Sequence, residues 1–409
     1  MSKNIAIIAP ISDFVSVYSV STVIFDHCKL LSNVGYNVTL FAGNDFKNYK
    51  SYSFHIRPVL ISYSPSKIWE LNEDFENEVS KNLQILNNEL TSYNFCITHD
   101  VTFLPFFYPL NLAIRFFSAE VEHIFWLHWL HSVPNFNFDK GKINLKYNSS
   151  KIKQYIFSHE LKNSYIVFPN KEQSENIAKY YNVKLDRIKT IPNSINPITF
   201  LNISKNAIDI LQRVDFINRD VLIIYPSRLT LSKKFDKVIK LVAYMNRNGI
   251  KASVVFCNTY MQNITAKSLL EYYIKMRDGL EITQNEVLFI SELGYEHGLP
   301  QNVVKDLFLS ANVFVFPSVT EASSLTLFEA SLTYNLIFLN RCVESFREFT
   351  TELTYFIDFE KDENKWLKDI YNCILYELNY NKILSQRQYV LKNFNNKSLF
   401  ENHIFPLLE

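Results

Sequence analysis

The sequence predicts an α/β protein built from two doubly wound, Rossmann-like domains, and three observations predict it. The chain has 409 residues, enough for two domains with substantial cores. Short apolar runs rich in β-formers alternate with helical patterns in both halves, the order that yields parallel sheets covered on both faces. Between the halves, INPITFLNISKNAIDILQRVDFINRD (195–220) has weaker periodicity and precedes a strong new strand, VLIIYP, so the domain boundary belongs inside that segment. The expected extents are 1–198, 199–385 and a C-terminal helix over 386–409, for which packing back on the first domain is the expectation.

In chain order, residues 5–9 form the first expected strand, and 21–33 a helix with Val23, Ile24, Leu30 and Leu31 among its apolar positions, closed by Gly35. YNVTLFAG, FHIRPVLIS, FCITHD, SYIVFP and RIKTIP are the further strands of the first half. In the second half, VLIIYP, KASVVFCN, EVLFIS, ANVFVFP and NLIFLN alternate with helices over KFDKVIKLVAYMNRNG, SLLEYYIKMRDGL, VVKDLFLSA and SLTLFEASL. The stretch from IYNCILYEL onward is helical, and no strong strand follows it.

Composition excludes several classes. Forty-two Lys and Arg against 41 Asp and Glu leave a net charge of +1, so nothing global favours nucleic acid as a partner. Cys28, Cys96, Cys257, Cys342 and Cys373 are scattered and lack CxxC or metal-type spacing, which points to a reducing compartment and to core or incidental thiols. MSKNIAIIAPISDF suits a first strand better than a signal peptide. VTFLPFFYPLNLAIRFF is broken by Pro105 and Pro109 and ends at Arg115, short of the roughly 20 apolar residues that a membrane helix needs. A cytoplasmic location, at the inner face of the membrane if the basic segment described below engages lipid, is the expectation. GxGxxG is absent, and only seven glycines occur in the chain, which argues against a Gly-rich phosphate loop.

The most informative stretch is FPSVTEASSLTLFEA (316–330). A buried strand ends at Pro317, a turn carries Glu321, and Glu329 follows within a helix, all inside a β-α-β unit. Parallel sheets bind ligands at the carboxyl ends of their strands, where the next helix points free N–H groups outward. Both carboxylates are therefore candidates for ligand contact. The competing reading makes Thr326 and Glu329 a capping box and Glu321 a solvated loop carboxylate. Upstream, YPSRLTLSKK places Arg228 at a strand end and Lys233 five residues on, with a solvated basic loop as the alternative.

Taken together, PSVTEASSLTLFEA, YPSRLTLSKK, the domain-ending SYIVFPNKEQSENIAKYYNVKLDRIKTIPNSINP and the opening strand, loop and helix before GYNVTLF resemble the retaining nucleotide-sugar glycosyltransferases of the GT-B fold, the group called family 4. The likeness spans nearly the whole chain. It implies two Rossmann-like domains facing across a cleft (GT-B), the donor mainly on the second and the acceptor on the first. It implies a hexosyltransferase type of enzyme that moves a sugar from a nucleoside diphosphate sugar to a hydroxyl of a glycan, lipid-linked or protein acceptor. No cofactor and no metal are expected beyond that co-substrate. Arg228 and Lys233, with the helix start at Ser324 and Leu325, would hold the donor diphosphate. Guanidinium and ammonium suit the charge left on the leaving phosphate. Glu321 and the amides of Ser323, Ser324 and Leu325 would hold the transferred sugar, and Glu329 the ribose hydroxyls. Carboxylates suit hydroxyls because they only accept hydrogen bonds.

In FWLHWLHSVP the resemblance favours His131 as the histidine near the donor sugar, able to hydrogen-bond a hydroxyl or to handle the acceptor's proton. Packing among aromatics is the alternative for both histidines and the favoured one for His128. The loop after strand one, PISDFVSVYSVS, is not Gly-rich, the Gly-Phe-Gly after the first Glu is Ala322-Ser323-Ser324, and Tyr334-Asn335 stands where a helix-closing Gly is usual. A catalytically silent subunit that binds sugars or a partner glycosyltransferase is the rival from another class. Lys140, Lys142, Lys146, Lys151 and Lys153 make DKGKINLKYNSSKIKQY a candidate for peripheral contact with an anionic membrane surface, against the alternative of a solvated basic loop.

Overall fold

The structure, a computed structural model, describes residues 3–14, 19–47, 50–132, 150–258, 264–321, 324–352 and 354–408. They divide into two compact units, 1–195 with 394–409 and 196–393. The first contains seven strands: β1 (Asn4–Ile8), β2 (Asn37–Gly43), β3 (His55–Leu60), β4 (Phe95–His99), β5 (Phe125–Trp129), β6 (Ser164–Phe168) and β7 (Ile188–Thr190). They lie in the order β3-β2-β1-β4-β5-β6-β7, all parallel. The second contains β8 (Val221–Arg228), β9 (Ala252–Asn258), β10 (Val287–Phe289), β11 (Val313–Phe316), β12 (Leu336–Asn340) and β13 (Tyr355–Ile357), in the parallel order β10-β9-β8-β11-β12-β13. The α/β, doubly wound class is as the sequence predicts.

Each sheet runs outward from its first strand and then returns to that strand's other side, so direction reverses between β1 and β4 in one unit and between β8 and β11 in the other. At such a switch point the crossover helices diverge, and a crevice opens at the carboxyl ends of the two strands. Central strands are covered on both faces, hence runs such as IAII, VLIIY and VFVF with no polar alternation. The edge strand β3 carries Arg57 and Pro58 and is largely exposed, a composition that discourages further pairing.

Two strands exceed those read from sequence. In β5, FWLHW, two tryptophans and a histidine obscure the β pattern; β13 is three residues long. The apolar stretch with Pro105 and Pro109 becomes a 3-10 turn and the helix Tyr108–Glu120, which packs within the first unit's core. No described helix is long and apolar enough to cross a membrane. All five cysteines are free, and Cys28, Cys96 and Cys257 are buried.

Asn312 fixes the second switch point. Its buried side chain accepts from Leu222 N at 2.9 Å and donates to Asp220 O at 2.8 Å, while its own N–H donates to Leu222 O at 3.2 Å and its C=O accepts from Leu336 N at 2.9 Å. One residue thus sets the starts of β8, β11 and β12 relative to one another. Asn312→Ala orphans two backbone groups at the start of β8 and is expected to lower unfolding free energy by about 2 kcal/mol, read as a shifted urea midpoint. A change within error would mean that the strand starts are held by other contacts.

Candidate functional site

β8 ends at the exposed Arg228, and a 3-10 turn, Leu231–Lys233, leads through Lys234, in left-handed backbone at φ 51°, into the helix Phe235–Arg247. β11 ends at Phe316, followed by Pro317, the fully buried Ser318 and Glu321. The two turns are stitched together. Val319 N donates to Ser232 O at 3.0 Å, Lys233 Nζ is 3.5 Å from Ser318 Oγ, and Lys233 forms an ion pair with Glu321. The Lys233 ammonium also lies 5.3 Å from the Phe316 ring centre, and Tyr225 Oη donates to Lys233 O.

The side chains of Lys233 and Glu321 are only 17% and 13% exposed, so each is the other's main compensation for lost water. Behind them, Asn340 Nδ2 donates to Pro317 O and Ser318 O at 3.3 and 3.2 Å, and Ser345 Oγ donates to Glu321 O at 2.7 Å. The geometry presents a cation and an acceptor-only carboxylate side by side at the carboxyl edge of the sheet.

Ser324 caps the next helix, Leu325–Leu332, its Oγ accepting from Leu327 N at 3.3 Å. This corrects the alternative of a Thr326–Glu329 capping box: the helix begins earlier, and its third position is Leu327. Leu325, Phe328 and Leu332 keep helical spacing but face outward, Leu325 and Leu332 at 72% and 79% exposure, while Leu327 and Ala330 are buried. Glu329 lies just over one turn into this helix, 3.5 Å from Gln301 Nε2. It lines a depression of about 360 Å³ with Gln301, Asn302, Lys305, Phe308, Leu332 and Thr333. Ser323 lies outside the described residues.

In the first unit, β4 and β5 end side by side. His128, on β5, is fully buried with Nδ1 3.0 Å from Thr98 Oγ1 and its ring beside Trp126, the packed role that the sequence favours for it. His131, two residues past β5, is half-buried, with Nε2 2.8 Å from His99 Nδ1. Asp100 Oδ1 accepts from His131 N at 2.7 Å. His27, from the helix Ser19–Asn33, closes the cluster, 5.3 Å from His99 and 4.4 Å from Trp129 between ring centres. Burial pushes His27 and His128 down to about 3 and His131 to about 4, so these rings are neutral near pH 7.

His99, Asp100, Asn340 and Ser345 were not singled out from the sequence. The one available signal was THD closing a buried strand at its carboxyl end. Lys140, Lys142 and Lys146 lie outside the described residues. Lys151 is exposed, and Lys153 points at the Tyr180 ring, 4.2 Å from its centre. Among the described residues, no group of three or more His, Cys, Asp or Glu is placed to hold a metal ion.

No family model matches the chain. A curated protein of Methanocaldococcus jannaschii, the uncharacterized glycosyltransferase MJ1607, is 23% identical over 323 residues, covering 74% of this chain and 73% of that one. This chain is a distant relative of that glycosyltransferase. Among solved structures, a glycosyltransferase from Rickettsia africae aligns over 98% of this chain and 96% of its own, at 13% identity and a TM-score of 0.37. WaaG, a glycosyltransferase of lipopolysaccharide biosynthesis, aligns over 97% and 99%, at 11% identity and 0.36.

Asp100 gives that site a pH signature. It is 8% exposed, in left-handed backbone at φ 59°, and burial pushes its carboxyl up to about 7, partly offset by the His131 amide. The folded protein therefore binds this proton more tightly than the unfolded chain does. The resulting stability is fully present below the ordinary value of 3.8 and is lost as pH rises through about 7. Asp100→Asn keeps an oxygen for the His131 amide and removes the titration. Urea midpoints are expected to fall in the wild type, relative to the variant, between about pH 4 and pH 7 and to level off above that; parallel profiles across the whole range would show that Asp100 is solvated like an ordinary carboxylate.

Proposed function

We propose that this chain is a retaining, metal-independent glycosyltransferase that moves a sugar from a nucleoside diphosphate sugar to a hydroxyl of a glycan, lipid-linked or protein acceptor, without a further cofactor. The observation that carries the reading is the Lys233–Glu321 pair at the β8/β11 switch point, beside Ser318 and the exposed Arg228. The relationship to a protein named as a glycosyltransferase supports it.

The chemistry follows from the pairing. An incoming diphosphate competes for the Lys233 ammonium, which is short of water and pre-aimed by the backbone around it. Glu321, once released, accepts hydrogen bonds from hydroxyls of the transferred sugar, so ion pair and substrate exchange partners without leaving a buried charge uncompensated. Arg228, the Ser324 and Leu325 amides and the helix that Ser324 caps add donors to the phosphates. As the bond from the anomeric carbon to phosphate oxygen breaks, these cations take up the charge. The departing phosphate oxygen accepts the acceptor's proton on the same face, and the anomeric configuration is kept. Glu329 and the depression beside it take the ribose. Peripheral contact of the lysine-rich segment with an anionic membrane surface belongs to the same reading, with Lys151 its exposed described residue.

With EDTA present and a panel of nucleoside diphosphate sugars as donors, transfer is expected to persist in the wild type. Glu321→Ala should lower it on the order of 100-fold with nucleoside diphosphate affinity retained, whereas Glu329→Ala should weaken that affinity by about tenfold in isothermal titration. Equal loss of affinity in the two variants would contradict the division of roles.

A further inference from the structure

The rings of His99 and His131 lie almost parallel, planes 10° apart and centres 5.1 Å apart, and share the Nδ1···Nε2 contact of 2.8 Å. Both are held neutral by burial, His99 far below its ordinary value and His131 at about 4, so a single proton occupies the bond between them. Which ring donates it decides what His131 offers outward, and the other nitrogen of His99 settles the choice.

His99 Nε2 is buried and has no hydrogen-bond partner. Its neighbours are the His27 ring, itself without a partner at either nitrogen, and the Trp129 ring, 6.1 Å away between centres. A proton on Nε2 would be an orphaned N–H in the core. With the proton on Nδ1 instead, Nε2 is a bare lone pair, the cheaper defect. His99 then donates from Nδ1, His131 accepts at Nε2, and the one proton of the neutral His131 ring sits on Nδ1. That atom makes no hydrogen bond to any described residue, and Asp100 secures the His131 main chain by accepting from its N–H.

We propose that His99 is a positioning residue that locks His131 as an uncharged hydrogen-bond donor, its Nδ1–H offered to an oxygen of the substrate. The identity of that oxygen as part of a nucleotide sugar or its acceptor rests on the function proposed above; the lock itself does not. Between the two roles open to His131 in the sequence, the lock selects the first: an Nδ1 that already carries a proton cannot receive the acceptor's. That proton therefore passes to the departing phosphate oxygen, in keeping with a retaining reaction.

Long-range proton–nitrogen correlation spectra of the full chain, with histidines labelled and His131 assigned through His131→Gln, read the tautomer directly. The wild type should show His131 protonated at Nδ1 near pH 7. His99→Phe should release it toward the Nε2–H form that free imidazole side chains prefer, and His99→Asn, whose amide N–H replaces the Nδ1–H, should restore it. Transfer should follow the tautomer: kcat falls by about tenfold in His99→Phe, with little change in donor KM, and recovers in His99→Asn. An Nε2–H signal in the wild type, or an unchanged Nδ1–H signal in His99→Phe, would overturn the lock. An Nδ1–H signal in the wild type without transfer from any donor would uphold the lock and count against the functional reading alone.

Discussion

The ion pair between Lys233 and Glu321 is the contact on which the candidate site depends. Eighty-eight positions separate the two residues, and they meet because β8 and β11 are neighbours whose ends leave the sheet at its switch point. Asn312 sets the register in which those strands start, Asn340 and Ser345 shape the turn that carries Glu321, and Ser232 ties that turn to the one carrying Lys233. A pair with this little exposure gains stability only while both charges are present. It is therefore a poor device for stability alone and a suitable one for receiving a ligand that brings charge and hydroxyls together.

The first unit solves a different problem at its own switch point. Four imidazoles at the ends of β4 and β5 and on the helix after β1 are kept uncharged by burial, His99 bonded to His131 and His128 to Thr98. An uncharged donor contributes direction without attracting a counter-ion. Asp100, in strained backbone beside it, brings a carboxylate to the cluster, and its hydrogen bond to the His131 amide holds His131 to the end of β4. Strain of this kind persists where the surroundings over-determine it, commonly at ligand sites.

Period and punctuation made the architecture readable from the chain. IAII, VLIIYP and ANVFVFP are continuous apolar runs because their strands are covered on both faces, and helical spacing between them requires parallel crossovers. β5 escaped because FWLHW mixes large aromatics with a histidine that is satisfied only by Thr98 across the sheet, a partner no local pattern reveals. The outward stripe of Leu325, Phe328 and Leu332 has the period of a core face while the core takes Leu327 and Ala330; periodicity gives the element but not its rotation. Glu321 and Glu329 stood out through their place around a strand-to-helix turn, and Arg228 and Lys233 through the family resemblance of YPSRLTLSKK. Their grouping did not: Lys233 meets Glu321, whereas Glu329 faces Gln301 on the neighbouring helix. His99 and Asp100 were missed because their importance lies in contacts to His131, more than thirty residues away.

A crystal structure of the protein with a nucleoside diphosphate bound tests the central claim most directly. The account predicts a phosphate oxygen about 2.7–2.9 Å from Lys233 Nζ, with the ammonium drawn off Glu321 and the carboxylate free to face the transferred sugar. A diphosphate seated elsewhere, with the Lys233–Glu321 pair unchanged, would contradict it.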